Sequence, residues 1–137
     1  MSKTDPVDIA AEALRHRDRS RAQVDARLER AGVGAEARVE TLDTLERVGY
    51  VDDGRFAATR ASVLADRGLG DEAIRHDLEG SRVGAEAVEA ALAGLEPEAD
   101  RARAVVARLG RTPKTAAFLT RKGFREEAVE AAVGLGE

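Results

Sequence analysis

Apolar residues recur along this chain every three or four positions, in short runs that end at glycine. The clearest stripe is Val39, Leu42 and Leu45, a spacing that predicts one buried helix face ending at Gly49. No stretch alternates between apolar and polar positions for long enough to predict a strand. The pattern therefore predicts an all-α protein made of short amphipathic helices.

The apolar pattern itself repeats. The string Val-Gly-Ala-Glu-Ala occurs at Val33–Ala37 and again at Val83–Ala87, 50 residues later, and the same shift matches Leu28 with Leu78. A degenerate third copy begins at Phe124, a further 41 residues along. A fixed register indicates one structural unit used several times. We predict an elongated, curved array of three tandem three-helix repeats, with about nine helices in all. The repeats are expected at residues 1–49, 50–97 and 98–137.

Local signals mark several helix starts. Ser20 followed by Gln23 predicts a capping box, in which each side chain bonds the other residue's backbone amide. Asp52 is a favourable N-cap, and Thr112 with Pro113 predicts a cap followed by a proline in the first helical position. These signals support the helical assignment independently of the apolar spacing.

Composition limits the kind of protein this is. Charged residues make up 35% and hydrophobic residues 43%, while aromatic residues are only 3% and cysteine is absent. Such a chain forms thin helices packed through Leu, Val and Ala, without disulfides or thiolate metal sites. No apolar run approaches the ~20 residues of a membrane span, and Met1–Pro6 does not resemble the start of a signal peptide. We expect a cytoplasmic protein.

Candidate chemistry is sparse. His16 and His76 fall in different repeats, each on what we expect to be a charged helix surface, and neither has a second ligand at metal-binding spacing. Adjacent acids such as Asp71-Glu72 stand at predicted helix starts, where the helix dipole favours them. We therefore expect no catalytic residues, no metal and no cofactor, and we do not expect an enzyme.

The net charge of −4 conceals an asymmetry between the repeats. The segments 1–49, 50–97 and 98–137 carry net charges of −1, −5 and +2. From Arg101 to Arg125 there are eight basic residues and no acidic one. The sequence therefore predicts a basic surface on the third repeat, and an acidic central repeat.

One segment between the first two repeats has an unusual composition. It contains the chain's only tyrosine, and five of its residues have predicted structural roles. Gly49 ends one helix, Tyr50 packs in the junction, Asp52 and Asp53 start the next helix, and Phe56 enters the core.

This segment resembles the signature of the RecX regulatory proteins. The string Gly-Tyr-Val-Asp-Asp-x-Arg-Phe-Ala carries the resemblance at residues 49–57. Arg17–Arg21 is similar to the family's first repeat, Arg67–Gly70 to its central repeat and Phe118–Phe124 to its closing one. The turn Glu79–Arg82 departs from the family because it lacks the expected lysine–glycine pair. The resemblance runs from about Ala13 to Val133, nearly the whole chain.

The resemblance implies a bacterial all-helical protein that regulates the RecA recombinase. A RecX protein lies in the groove of RecA filaments on single-stranded DNA and inhibits filament growth, ATP hydrolysis and strand exchange. It thereby acts in homologous recombination, DNA repair and the SOS response. We expect this chain to act as a monomer, with at most a weak direct contact to DNA.

Exposed cations are the predicted contacts with the filament. The expected residues are Arg15, Arg17, Arg19, Arg21, Arg60, Arg67, Arg101, Arg108, Arg111, Lys114, Arg121, Lys122 and Arg125.

Two other functions fit the same residues. Three-helix units resemble helix-turn-helix domains, and the third repeat could contact phosphates, so the chain could bind nucleic acid directly. The acidic net charge and the scarcity of aromatic residues argue against that reading. A generic helical scaffold with another partner is the second alternative. Steeply salt-dependent binding to DNA alone would favour the first alternative over a filament regulator.

Overall fold

The computed structural model describes residues 5–134, and this part of the chain contains nine α-helices and no strand. The all-α prediction is therefore confirmed. The helices are α1 (Pro6–Leu14), α2 (Arg21–Arg30), α3 (Ala35–Arg47), α4 (Asp53–Asp66), α5 (Asp71–Gly80), α6 (Ala85–Ala93), α7 (Glu98–Leu109), α8 (Pro113–Arg121) and α9 (Glu126–Val133).

The predicted helix starts are confirmed in detail. The Gln23 amide donates to the Ser20 hydroxyl at 3.1 Å, and the Ser20 amide donates to the Gln23 side-chain oxygen at 3.0 Å. The carboxylate of Asp52 accepts the Arg55 amide at 2.9 Å, and Thr112 caps the helix that begins at Pro113. These bonds satisfy first-turn amides that have no partner within the helix.

The helices pack in three consecutive groups, named here unit 1 (α1–α3), unit 2 (α4–α6) and unit 3 (α7–α9). Among the described residues, every extensive helix–helix contact lies within one unit. Buried apolar side chains form three separate clusters, around Leu28 in unit 1, Ile74 and Leu78 in unit 2, and Leu119 in unit 3. Each unit thus has its own small core.

The repeat limits at residues 49 and 97 stay a prediction, because contacts between helices define groups rather than repeat boundaries. The ends of the first and third predicted repeats, residues 1–4 and 135–137, lie outside the described residues.

Unit 2 meets a neighbour at each end, and both meetings use a helix start and a turn. At joint 1, the start of α2 meets the α5–α6 turn, where the Ser20 hydroxyl donates to the Ser81 carbonyl oxygen at 2.8 Å. At joint 2, the start of α5 meets the α8–α9 turn, where the Gly70 amide donates to the Lys122 carbonyl oxygen at 2.8 Å. Ser20 and Gly70 are 50 residues apart, so equivalent positions of the repeat form both joints.

Two local expectations were wrong. Val39, predicted to be buried, is 52% exposed because the buried arc of α3 is set by Thr41, Leu42 and Leu45, and Val39 lies just outside it. His16, expected on a helix surface, lies in the bend that follows α1 and is exposed. Neither change affects the arrangement of the helices.

Candidate partner-binding surfaces

The arginines between α1 and α2 do not form one free cationic cluster. Arg15 pairs with Glu12 on the same exposed surface at 3.4 Å. Arg19 donates from Nε to the Ala13 carbonyl oxygen, which ties the segment to the end of α1, and burial lowers the pKa of its guanidinium. Arg17 is exposed, and no acidic side chain of residues 5–134 pairs with it. Arg17 is therefore the available charge in this segment.

Arg21 holds two elements together instead of facing solvent. Its guanidinium contacts Glu46 at 2.7 Å and Asp43 at 3.0 Å, both on α3. Its backbone amide donates to the Asp53 carboxylate at 2.7 Å across joint 1. Both parts of this residue thus have partners within the chain.

The two predicted contacts of unit 2 differ from each other. Arg60 on α4 donates two hydrogen bonds of 3.0 Å to the two carboxylate oxygens of Asp77 on α5. The bond to Asp77 raises the pKa of Arg60, which is the direction expected for a charge-assisted pair. Arg67 caps the C-terminal end of α4 and is exposed. Only Arg67 leaves its charge open to an external partner.

Arg101 is largely buried at joint 2 and does not belong to an exposed basic surface. Its side chain is 10% exposed and contacts the Asp71 carboxylate at 2.9 Å. It also donates to the carbonyl oxygen of Leu69 at 3.1 Å and lies over the ring of Phe124, 5.8 Å from the centroid. The prediction that Arg101 is an exposed cation was wrong, because its acidic partner comes from another unit.

Arg125 contributes to the same cluster. Its guanidinium contacts Glu98 at 3.3 Å and Asp71 at 3.8 Å, while the Asp71 amide donates to Glu98 at 2.7 Å. Both acids are nearly buried. Sequence reasoning missed this cluster, because Asp71 and Glu98 precede the acid-free run and nothing in their spacing links them to it.

Of the six other cations of unit 3, Arg103 pairs with Asp100, and the remaining five have no acidic partner within ion-pair distance among residues 5–134. We call them the unit 3 basic surface. Four are exposed and Lys122 is half-buried, with its ammonium over the ring of Phe118, 5.8 Å from the centroid. The surface consists of Arg108, Arg111, Lys114, Arg121 and Lys122.

The motif at residues 49–57, between units 1 and 2, differs from the prediction at one residue. Gly49 adopts φ +88°, a left-handed conformation that favours glycine, and Phe56 is buried as expected. Tyr50, predicted to pack in the junction, is 66% exposed. Val51 is buried at 2% exposure in its place. The prediction for Tyr50 was wrong because the turn directs the smaller Val51 inward.

Arg55 is the residue of the motif to which the sequence assigned no role, and it makes several structural contacts. It donates to Asp18 at 2.8 Å and 3.1 Å, and to the carbonyl oxygens of Gly49 at 3.0 Å and Tyr50 at 3.4 Å. The hydrogen bond to Asp18 raises the pKa of Arg55. Arginine at the sixth position after Gly49 was the available signal, because its planar fork can bind a carboxylate and carbonyls together.

Residues 5–134 contain no clustered metal ligands. No group of three or more His, Asp or Glu side chains in this range lies close enough to hold a metal ion. None of the helices described above is both long and apolar enough to cross a membrane. The acid pairs stand at helix starts, as the sequence predicts.

Curated relatives match almost the whole chain. The chain is 32% identical to the regulatory protein RecX of Acidithiobacillus ferrooxidans, covering 98% of this chain and 92% of that protein. It is also 32% identical to the regulatory protein RecX of Xanthomonas axonopodis pv. citri, covering 93% of this chain and 85% of that protein. No family model matches the chain.

Solved structures share the fold. A crystal structure of RecX from Lactobacillus salivarius superposes with a TM-score of 0.83 at 15% identity, covering 94% of this chain and 92% of that one. A second crystal structure of a regulatory protein RecX gives a TM-score of 0.78 at 21% identity, covering 91% of this chain and 69% of that one. At these identities the similarity concerns the fold.

Proposed function

The chain belongs to the RecX family of regulatory proteins, and from this we propose that it is a cytoplasmic negative regulator of the RecA recombinase. In this proposal it binds RecA filaments on single-stranded DNA and inhibits their growth, their ATP hydrolysis and strand exchange. The observation that carries the proposal is the 32% identity to a RecX protein over 98% of this chain.

The arrangement of the units supports a long binding surface. Unit 2 lies between units 1 and 3, and each unit has a separate core, so each presents its own outer face. Repeat arrays of this kind commonly bind extended partners. The segments that form units 1 and 2 carry net negative charge and the segment of unit 3 is net positive. This difference would orient the array on a filament that exposes protein and phosphate side by side.

The cations that remain open to an external partner are the strongest candidates for contact with the filament. Arg15, Arg19, Arg21, Arg60, Arg101 and Arg125 already have partners within the chain. A direct contact of these six arginines with the filament stays a prediction. Arg111 donates from Nε to the Val133 carbonyl oxygen at 2.9 Å, but it remains exposed and no carboxylate neutralises its charge among residues 5–134. We therefore place the main electrostatic contact on the unit 3 basic surface, assisted by Arg17 and Arg67.

The test is inhibition of RecA ATP hydrolysis on single-stranded DNA by substoichiometric amounts of the purified protein. Inhibition well below one protein per RecA subunit supports filament capping or growth block. A Lys114→Glu, Arg121→Glu double variant should inhibit less. A matched Arg30→Glu, Arg47→Glu variant, which makes the same charge change on unit 1, should inhibit like the wild type. If the wild type inhibits at no ratio, the proposed function is wrong.

Direct DNA binding is the second candidate, and the unit 3 basic surface is the observation that favours it. The two candidates differ in salt dependence and in the need for RecA. Binding to single-stranded DNA alone that is tight and steeply weakened by salt would favour a DNA-binding module. Poor binding to DNA alone with good binding to RecA filaments would favour the regulator.

A further inference from the structure

Tyr50 is an exposed aromatic side chain held by a fixed backbone. Its amide donates to the Leu45 carbonyl oxygen at 2.9 Å, and the next amide, of Val51, reaches the same oxygen at 3.2 Å. The buried Val51 side chain anchors the turn in the core of unit 1. The ring of Tyr50 therefore projects from a turn whose path is determined by other residues.

Arg55 fixes the same turn from the other side. Its guanidinium bonds the carbonyl oxygens of Gly49 and Tyr50 and forms a two-bond ion pair with Asp18. Because each charge of this pair is neutralised by the other, neither is open for a new charged ligand. The site thus presents a positioned ring beside a satisfied ion pair.

A groove opens next to the ring. It has a volume of about 400 Å³ and is lined by Ala11, Leu14, Asp18, Gly49, Tyr50 and Arg55. Its apolar wall comes from α1 and from Tyr50, and its far rim is the ion pair. A groove of this size and chemistry suits apolar side chains of a partner.

The charge around the groove decides the class of partner. Asp18, the carboxylate that lines the groove, is paired with Arg55, and the segments 1–49 and 50–97 that meet beside the groove carry net charges of −1 and −5. The lining offers a phosphate no unpaired cation, whereas an apolar side chain on a basic protein surface would fit the apolar lining and complement the net negative charge of the two segments. Rigid exposed tyrosines are typical anchors of protein interfaces.

We propose that Tyr50 and the groove beside it form a docking site for an apolar side chain on a basic protein surface. The inference rests on the proposed function, in which that protein is the RecA subunit of the filament. It assigns the protein contact to unit 1, separate from the electrostatic contact of unit 3.

The test compares Tyr50→Ala with the wild type in binding to RecA filaments and in thermal unfolding. We expect binding to weaken at least tenfold while the melting temperature stays within about 2 °C, because the ring is mostly exposed. Tyr50→Phe, which keeps the ring, should bind within about threefold of the wild type. Val63→Ala removes another exposed apolar side chain, on α4, and should leave binding unchanged.

The outcomes separate the inference from the function. If the wild type binds filaments and Tyr50→Ala binds equally well, the docking site is wrong and the proposed function stands. If Tyr50→Ala lowers binding to single-stranded DNA alone by the same factor, the partner is a nucleobase and the protein assignment is wrong. A wild-type chain that does not bind filaments at all would overturn the proposed function and this partner together.

Discussion

Joint 1 and joint 2 use equivalent parts of the repeat pattern, but different interactions hold them. At joint 1 side chains make the contacts: the Ser20 hydroxyl donates to a turn carbonyl at 2.8 Å, and the Arg21 amide donates to the Asp53 carboxylate at 2.7 Å. At joint 2 the backbones meet directly, through the amides of Gly70 at 2.8 Å and Glu72 at 3.0 Å. The same geometry is therefore reached by two kinds of chemistry.

The ion pairs of the two joints also differ, because the pair at joint 1 is more exposed than the pair at joint 2. At joint 1, the side chains of Arg55 and Asp18 are 43% and 32% exposed. At joint 2, those of Arg101 and Asp71 are 10% and 13% exposed. Exposed pairs contribute little and are screened by salt, whereas breaking a buried pair strongly destabilises a protein. We conclude that joint 2 couples its units rigidly and that joint 1 is the more compliant connection.

Removing the buried cation should have the largest effect. Arg101→Ala leaves Asp71 charged and nearly buried, so we expect a loss of about 3 kcal/mol in the free energy of unfolding. Urea unfolding followed by circular dichroism measures it. Arg103→Ala is the control on the same helix, since Arg103 pairs with Asp100 at the exposed surface and should cost less than about 1 kcal/mol. Equal losses in the two variants would refute the assignment of rigidity to joint 2.

A methyl group at Gly70 tests the close backbone contact. A Cβ there would lie 2.4 Å from the Phe124 nitrogen and 2.5 Å from the Gly123 carbonyl carbon. Because these are backbone atoms, we expect Gly70→Ala to cost about 2 kcal/mol in unfolding experiments. Gly84 also precedes a helix but has nothing within 4 Å of its Cβ position, so Gly84→Ala should cost only a few tenths. Similar values for both would mean that joint 2 is loosely packed.

The Ser20 hydroxyl both caps α2 and bonds unit 2 across joint 1. Ser20→Ala removes both the helix cap and the bond to unit 2, and we expect a loss of about 1.5 kcal/mol. Thr112 caps α8 through its own side chain, and among residues 5–134 that side chain bonds only within unit 3. Thr112→Ala should therefore lose only the cap, about 1 kcal/mol. If Ser20→Ala costs no more than Thr112→Ala, the bond across joint 1 contributes nothing.

A substitution in the turn of joint 1 should stabilise the protein, because this turn has an arginine at a positive φ where the turn of joint 2 has a glycine. Arg82 adopts φ +62°, while Gly32 and Gly123 occupy the equivalent positions of the other units at φ +91° and +92°. A left-handed conformation costs a non-glycine residue about 1 kcal/mol. Arg82→Gly should therefore raise the free energy of unfolding by about that amount. A loss of stability instead would show that the Arg82 side chain supports the joint.

The smallest expected effect is the salt dependence of the stability that the Arg55–Asp18 ion pair contributes. Arg55→Ala at low ionic strength should cost at most about 1 kcal/mol, and less than half of that in 1 M salt, because the pair with Asp18 is exposed. The cost of Arg101→Ala should change little over the same range. If the stability lost in Arg55→Ala did not depend on salt, the ion pair of joint 1 would behave like the buried pair of joint 2.

Local signals explain what the sequence predicted well. Capping residues such as Ser20 and Asp52 act within a few positions of the chain, so their roles could be predicted without a structure. The exposure of Tyr50 could not be predicted, because which of two adjacent apolar residues turns inward depends on the packing of the whole unit. The partner of Arg101 lies 30 residues away, and only the folded chain brings the two charges together.

The contact surfaces needed the structure for the same reason. The acid-free run predicted a basic third repeat, and five of its cations do lack an acidic partner among the described residues. The run could not show that Arg101 and Arg125 serve joint 2. The close approach of Gly70 to the next unit follows only from the fold.

Amide hydrogen exchange across the two joints tests the central claim, that joint 2 is rigid and joint 1 compliant. First-turn amides have no partner within their own helix, so their protection reports on the joint. We predict that the amides of Gly70 and Glu72, which donate across joint 2, exchange at least tenfold more slowly than that of Arg21, which donates across joint 1, after correction for intrinsic rates. Equal protection at the two joints, or greater protection at joint 1, would contradict the account.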